Sequence, residues 1–189
     1  IKAGAEVIVT ATFTTRRIRL RDNKIEDKFE YLNKKAGEIA QKAKEQYPNV
    51  LIAGGLPPQY LTYEEDTRPD DEIKQNFYDQ AKLLDPYIDF FYLDVMSSFK
   101  ECEIAIKAIA PLKKDFLVGI HIREGEQLPS GEDFVSVVKK LSKLNPLGVV
   151  VACVSLEHLE PLIKKILKIS LNLMLGYNLM GLNGMQKVM

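Results

Sequence analysis

The chain has 189 residues, 46% of them hydrophobic, and carries 26 basic and 26 acidic residues, so its formal net charge is zero. This length suits one domain with one substantial core. The balanced charge excludes the strongly basic surface with which a protein binds nucleic acid or an acidic membrane. No apolar run approaches the roughly 18 residues of a membrane span, and the first residues do not resemble a secretory leader. Two cysteines do not indicate a disulfide framework. We therefore expect a cytoplasmic protein.

Apolar runs rich in β-branched residues alternate with amphipathic stretches along most of the chain. The predicted strands are 6–12, 50–53, 88–94, 116–121 and 147–153. The predicted helices are 24–46, 70–84, 98–110, 131–144 and 156–167. Five successive strand–helix units predict an α/β fold with a parallel sheet covered by helices.

A closed barrel and a doubly wound sheet both fit this order of elements. Gly54 and Gly55 follow the second strand, but Pro57 and Pro58 stand where a phosphate-binding loop would start its helix. We therefore predict a (β/α)8 TIM barrel, present as an incomplete barrel of about five to six units in one domain, 1–189. The opening at Ile1 suggests a piece of a longer protein, and 170–189 is predicted to be an irregular tail.

Side chains at the carboxyl ends of barrel strands face the active site. The predicted strand ends present Thr10, Thr12, Phe13, Gly54, Gly55, Asp94, His121 and Cys153. An acid, an imidazole and a thiol at one edge can bind a metal or a charged substrate. Asp94 can equally cap the next helix, and His121 can be an ordinary polar strand end. Cys102, within helix 98–110, is predicted to be structural.

Two charged segments have simpler interpretations. The arginine-rich segment 15–21 can attract an anion, but it is predicted to be a solvated loop and the first turn of the long helix. The acidic segment 63–71 is typical of loops that close over barrel mouths, and its carboxylates are predicted to be solvated.

Four stretches together resemble the homocysteine S-methyltransferase family, which includes betaine- and S-methylmethionine-dependent enzymes. They are 3–13, which ends Thr-Ala-Thr-Phe; 53–58 with 67–70; Asp94 with Glu101 and Glu103; and 127–132 with 149–153. The resemblance spans about 1–168. Its specificity comes from the order and spacing of the stretches.

The resemblance implies a barrel that transfers a methyl group from a sulfonium or quaternary ammonium donor to the thiolate of homocysteine, forming methionine. It implies a zinc ion on three cysteine thiolates, which lowers the pKa of the substrate thiol, and Cys153 matches one of these ligands. Asp94 matches the acid that receives the substrate ammonium group, and Phe13 and Thr14 match residues that line the substrate pocket. Such a transfer needs an oriented nucleophile and no catalytic general base.

The sequence departs from the family pattern in four places. It has no Gly-Gly-Cys-Cys motif for the other zinc ligands, and no counterpart of the family's first strand, whose Asp-Gly turn also contacts homocysteine. Asp94 replaces a glutamate, and Ala152 replaces an asparagine. Two alternatives therefore stay open. One is a non-catalytic, metal-free barrel that binds an amino-acid-like ligand. The other is a barrel enzyme in which Asp94, His121 and Cys153 act as acid, base and nucleophile.

Overall fold

A computed structural model describes residues 1–123, 126–155, 159, 162 and 174–179 of the chain. Its strands are β1 Val7–Val9, β2 Leu51–Leu56, β3 Phe90–Met96, β4 Phe116–Ile120, β5 Gly148–Val154 and β6 Met174–Leu179. Its α-helices are α1 Arg17–Asp22, α2 Phe29–Gln46, α3 Asp70–Leu84, α4 Phe99–Ile109 and α5 Phe134–Ser142. Short 3₁₀ turns at Glu26–Lys28, Asp85–Tyr87 and Ala110–Leu112 join some of them.

The six strands form one parallel sheet in the order β1-β2-β3-β4-β5-β6, which is also their order along the chain. Each pair is in parallel register, as in the pairing of Ile8 with Ile52 and of Val118 with Val149. The helices that connect successive strands lie on one side of the sheet, and the sheet curls as part of a barrel. The predicted α/β fold, an incomplete (β/α) barrel, is confirmed.

The structure differs from the sequence-based expectation at the carboxyl-terminal end of the chain. An irregular tail was expected over 170–189, but β6 lies within it and pairs with β5 in parallel register. Gly176 and Asn178 interrupt the apolar pattern of β6, and its pairing comes from backbone hydrogen bonds that this pattern does not reveal. Most of the predicted helix 156–167 lies outside the described residues, although Leu159 and Leu162 are buried.

The main core lies between the sheet and its helices. The stripe of α3 that faces the sheet consists of fully buried residues at helical spacing, namely Ile73, Phe77, Ala81 and Leu84. A smaller apolar cluster lies on the opposite, interior face of the sheet and contains Ala53, Phe90, Tyr92, Leu117 and Val150. Strand residues therefore alternate between the helix layer and the barrel interior. Among the described residues, no helix is both long and apolar enough to cross a membrane.

Candidate functional site at the carboxyl ends of the strands

Matching bulges interrupt β3 and β5 near their carboxyl ends. The register shifts between Leu93 and Met96, and again between Ala152 and Val154. Leu93 and Met96 both lie in the helix-facing core, as do Val151 and Val154. Asp94 and Val95 lie between the first pair, and Ala152 and Cys153 between the second, and none of these four belongs to that core. Asp94 faces the barrel interior by the ordinary alternation of β3, and the bulge in β5 turns Cys153 to the same side.

Both bulges hold a residue in left-handed backbone conformation. Val95 has a φ of +61° and Cys153 a φ of +60°. This conformation is unfavourable for any side chain with a Cβ, and more so for a β-branched valine. Strain of this kind persists where the surrounding structure imposes it, and it is concentrated at functional sites. The strained residues are therefore Cys153 itself and Val95, which follows Asp94.

Asp94 is a largely buried carboxylate with unused hydrogen-bonding capacity. Its Oδ1 has no hydrogen-bond partner among the described residues. Burial raises the pKa of Asp94 to about 6, and a hydrogen bond from the Tyr92 hydroxyl opposes the rise. At neutral pH the carboxylate is therefore ionised, incompletely solvated and able to accept a hydrogen bond from a cationic ligand.

The tight fit of Tyr92 beneath Asp94 leads to a testable prediction. A Cβ on Gly119 would lie 2.5 Å from the Tyr92 hydroxyl oxygen and 3.0 Å from Cζ. Tyr92 is almost fully buried, so Gly119→Ala should displace the phenol and lower the free energy of unfolding by about 1–3 kcal/mol. The reference is the unaltered chain. Urea unfolding of Gly119→Ala and of the unaltered chain tests this; equal stabilities would contradict it.

Cys153 lies in a cluster with Tyr63 and His121. The Tyr63 hydroxyl donates a hydrogen bond to Cys153 Sγ at 3.2 Å, and its ring lies 4.4 Å from the His121 ring, centroid to centroid. The hydrogen bond to Cys153, and secondarily burial, raise the pKa of Tyr63 to about 12. Tyr63 therefore stays protonated and acts as a donor at neutral pH.

His121 is held by the backbone of β5 and not by the thiol. Its Nδ1 lies 3.3 Å from the carbonyl oxygen of Ala152. A carbonyl only accepts hydrogen bonds, so Nδ1 carries the proton and Nε2 presents a lone pair. Burial lowers the pKa of His121, which keeps it neutral at pH 7. The described residues show no hydrogen bond between His121 and Cys153, the pairing that a thiol–imidazole nucleophile requires.

Phe13 and Thr14 are carried by a segment that a buried polar network fixes in place. Thr12 donates to the carbonyl oxygen of Gly55 at 2.6 Å, and Thr15 donates to Asn33 Oδ1 at 2.7 Å. The side-chain amide of Gln80 donates hydrogen bonds to the Thr12 carbonyl oxygen and to Asn33 Oδ1. Phe13 is partly buried and Thr14 is exposed. The segment that carries both is therefore rigidly attached to β2, α2 and α3.

Arg16 corrects the expectation that the arginine-rich segment is solvated. It is 1% exposed and lies at the start of α1. Its guanidinium donates to the carbonyl oxygens of Phe13 and Tyr60 and to Thr62 Oγ1. Burial lowers its pKa to about 10, so it remains charged at neutral pH. The three bonds supply partners that the buried cation needs.

Two acidic side chains that the sequence did not mark as buried are buried as well. Asp66 is 4% exposed and pairs with Arg68 at 2.7 Å, in contrast to the solvated loop that was predicted. Glu101 is 1% exposed, and its Oε2 accepts from the backbone N–H of Ser97. Ser98 caps α4 by accepting from the Glu101 N–H. The Ser-x-x-Glu spacing from Ser98 to Glu101 was the sequence signal of a capping box, although the Glu101 carboxyl group bonds the N–H of Ser97 and not that of Ser98.

A complete three-thiolate zinc site does not fit the residues present. The sequence holds two cysteines, and Cys102 is fully buried in α4. Its structural role agrees with its burial. Among the described residues, no group of three or more His, Cys, Asp or Glu side chains is arranged to hold a metal ion. Cys153 is the cysteine placed at the strand ends, and His121 Nε2 is a further donor nearby.

The fold and the strand-end cluster define a β/α-barrel protein whose candidate site lies at the carboxyl ends of the strands. The family model described as homocysteine S-methyltransferase matches residues 1–187. The chain belongs to the homocysteine S-methyltransferase family.

Solved structures share the fold. The apo homocysteine methyltransferase MmuM from Escherichia coli is 20% identical, with a TM-score of 0.71; the match covers 94% of this chain and 67% of that one. The carboxyl transferase domain of Rhizobium etli pyruvate carboxylase, with pyruvate and biocytin, is 21% identical, with a TM-score of 0.52. That match covers 81% of this chain and 27% of the other. At such identities the likeness concerns the fold.

Proposed function

We propose that the chain binds homocysteine and takes part in transferring a methyl group to its sulfur from a sulfonium or quaternary ammonium donor, forming methionine. The observation that supports this best, beside family membership, is that Asp94 and Cys153 both lie at bulges near the carboxyl ends of strands in one parallel sheet. One strand, β4, lies between them, a separation of about 10 Å between strand axes. In this proposal a four-carbon amino acid spans that separation, with its ammonium group toward Asp94 and its sulfur toward Cys153.

The reaction balances without a general acid or base in the protein. A bond forms between the homocysteine thiolate and the methyl carbon, and the bond from that carbon to the donor sulfur or nitrogen breaks. The homocysteine thiol has given its proton to solvent before the transfer; the donor sulfur or nitrogen loses its positive charge as it leaves, and the thiolate becomes a neutral thioether. What the chain must supply is orientation and exclusion of water. In this proposal Asp94 holds the ammonium group, and Phe13 and Thr14 line the pocket.

A zinc ion is part of the same proposal, with Cys153 as one of its thiolate ligands. When bound, zinc keeps a substrate thiol ionised at neutral pH. A catalytic zinc needs three protein ligands, and these 189 residues supply one of the three sulfurs that the family resemblance implies. Unpaired thiols persist in a reducing compartment, which supports the expected cytoplasmic setting.

Zinc content per chain tests the metal part of the proposal. We expect no stoichiometric zinc in the 189-residue chain, because one thiolate competes poorly with water. The protein expressed from its natural gene should hold about one zinc, and Cys153→Ser should remove it. Cys102→Ser is the control and should retain the metal. Absence of zinc from the natural protein, with homocysteine binding retained, would instead support the metal-free amino-acid-binding barrel.

A further inference from the structure

The loop between β2 and α3, residues 57–69, lies over the candidate site; we call it the mouth loop. Tyr63 projects from it to Cys153 and His121. The carbonyl oxygen of Tyr63 accepts a hydrogen bond from Arg123 at 2.7 Å, and its φ of +68° is a left-handed conformation. The loop therefore carries a strained residue whose side chain covers the thiol.

Arg16 connects the mouth loop to the segment that carries Phe13. Its Nε donates to the Tyr60 carbonyl oxygen at 3.2 Å, and one terminal nitrogen donates to Thr62 Oγ1 at 2.9 Å. The other terminal nitrogen donates to the Phe13 carbonyl oxygen at 2.8 Å. Lifting residues 60–62 would leave a buried guanidinium without two of its acceptors, which is costly.

The far end of the mouth loop is fastened independently. Arg68 pairs with Asp66 within the loop and with Glu72 on α3, and its guanidinium lies over the Tyr60 ring, 4.9 Å from the centroid. The segment around Tyr63 lies between these attachments. Its movement is therefore opposed by Arg16 on one side, by Arg68 on the other and by Arg123 at Tyr63 itself.

We propose that the mouth loop is a gate, in which Tyr63 covers the Cys153 thiol in the ligand-free chain and Arg16 is the positioning residue that holds the loop closed. A ligand sulfur reaches the thiol only when Tyr63 moves aside. The inference rests on the proposed function for the identity of the ligand. The covering of Cys153 by Tyr63, however, is measurable without any ligand.

Alkylation of Cys153 by iodoacetamide, followed by mass spectrometry at one pH, tests the gate. Arg16→Met and Tyr63→Ala should each raise the rate about 10-fold, the effect of losing one or two hydrogen bonds that hold the closed state. Arg17→Met is the matched control, because the neighbouring Arg17 pairs with Asp79 on α3 and does not touch the mouth loop. Its rate should equal that of the unaltered chain. Equal rates for Arg16→Met and Arg17→Met would overturn the proposal.

Cys102 separates local opening from unfolding. It is fully buried, so it should stay unlabelled in every folded variant. If Cys102 becomes labelled in Arg16→Met, that variant is partly unfolded, and Thr62→Val is used in its place. Thr62→Val removes one hydrogen-bond acceptor of Arg16 and keeps the size of the side chain. Thr62→Val should raise the rate about 3-fold, and an unchanged rate would overturn the gate.

Homocysteine binding by calorimetry distinguishes failure of the gate from failure of the proposed function. With both correct, Tyr63→Ala binds L-homocysteine at least as tightly as the unaltered chain, because no gate has to open. A chain that never binds homocysteine but shows the labelling pattern refutes the function and keeps the gate. Binding together with unchanged labelling rates keeps the function and refutes the gate.

Discussion

Asp94→Asn is expected to weaken binding of L-homocysteine at pH 7.5 by about 30-fold or more, because loss of one partner of a desolvated charge pair costs at least about 2 kcal/mol. The asparagine keeps the size and shape of the side chain, removes the charge and replaces one acceptor oxygen with an NH2 donor. Glu103→Gln is the control with the same change of charge, since Glu103 pairs with Lys107 on the surface of α4. Calorimetric affinities of the two variants make the comparison; equal affinities would exclude Asp94 as the ammonium partner.

The pH dependence of binding gives the same prediction a second measurement. Burial raises the pKa of Asp94 to about 6, so the carboxylate is ionised above pH 6 and is neutralised as the pH falls through 6. Affinity of the unaltered chain for the ammonium group should therefore fall between pH 7.5 and pH 5. The affinity of Asp94→Asn should stay nearly constant across this range. Parallel pH profiles for the two proteins would contradict the assignment.

The sequence predicted the elements well where local signals are strong. Helix α3 begins and ends at the predicted residues, Asp70 and Leu84, because Pro69 and an acidic first turn mark its start. The strand β6 was missed because a strand that gains its hydrogen bonds from β5 needs no clear apolar period of its own. Strand β1 is shorter than predicted, and it ends at Val9.

The candidate site was predictable as far as the strands determine it. Functional side chains of a β/α barrel lie at the carboxyl ends of its strands, which predicted Asp94, His121 and Cys153 at one edge. All three lie at that edge in the structure. Tyr63 was missed because its position depends on a long loop, whose path has no periodic sequence pattern. The bulges were missed as well, since neither contains a glycine that would mark its left-handed residue.

Arg16 and Glu101 were missed for a different reason. A charged residue is interpreted as solvated by default, because burying a charge is costly. Arg16 is buried since three acceptors of the mouth loop and the Phe13 segment surround it. Glu101 is buried since its carboxyl group closes the start of α4, and its Oε1 has no hydrogen-bond partner among the described residues. The acceptors of Arg16 at Tyr60 and Thr62 come from tertiary structure and leave no local pattern, whereas Glu101 had the local signal of its spacing from Ser98.

Glu101→Gln is expected to remove a pH-dependent loss of stability. Burial raises the pKa of Glu101 to about 8, with a contribution from Asp66 and opposing contributions from the Ser97 N–H and from Arg16 and Arg68. The folded chain therefore holds a proton at pH 6.5 that the unfolded chain has released. Stability from this group is complete below the unfolded pKa, declines as the pH rises, and is lost once the pH passes 8.

The measurement is the free energy of unfolding in urea at pH 6.5 and at pH 9. Between these values the unaltered chain should lose about 2 kcal/mol more than Glu101→Gln, because each unit of pH below the folded pKa contributes about 1.4 kcal/mol. Asp94 does not disturb the comparison, since its pKa of about 6 leaves it mainly ionised at both pH values and it is common to both proteins. Glu103→Gln, on the exposed side of α4, should follow the unaltered chain. A Glu101→Gln variant that loses stability in parallel with the unaltered chain would show that Glu101 is ionised in the folded state at pH 6.5.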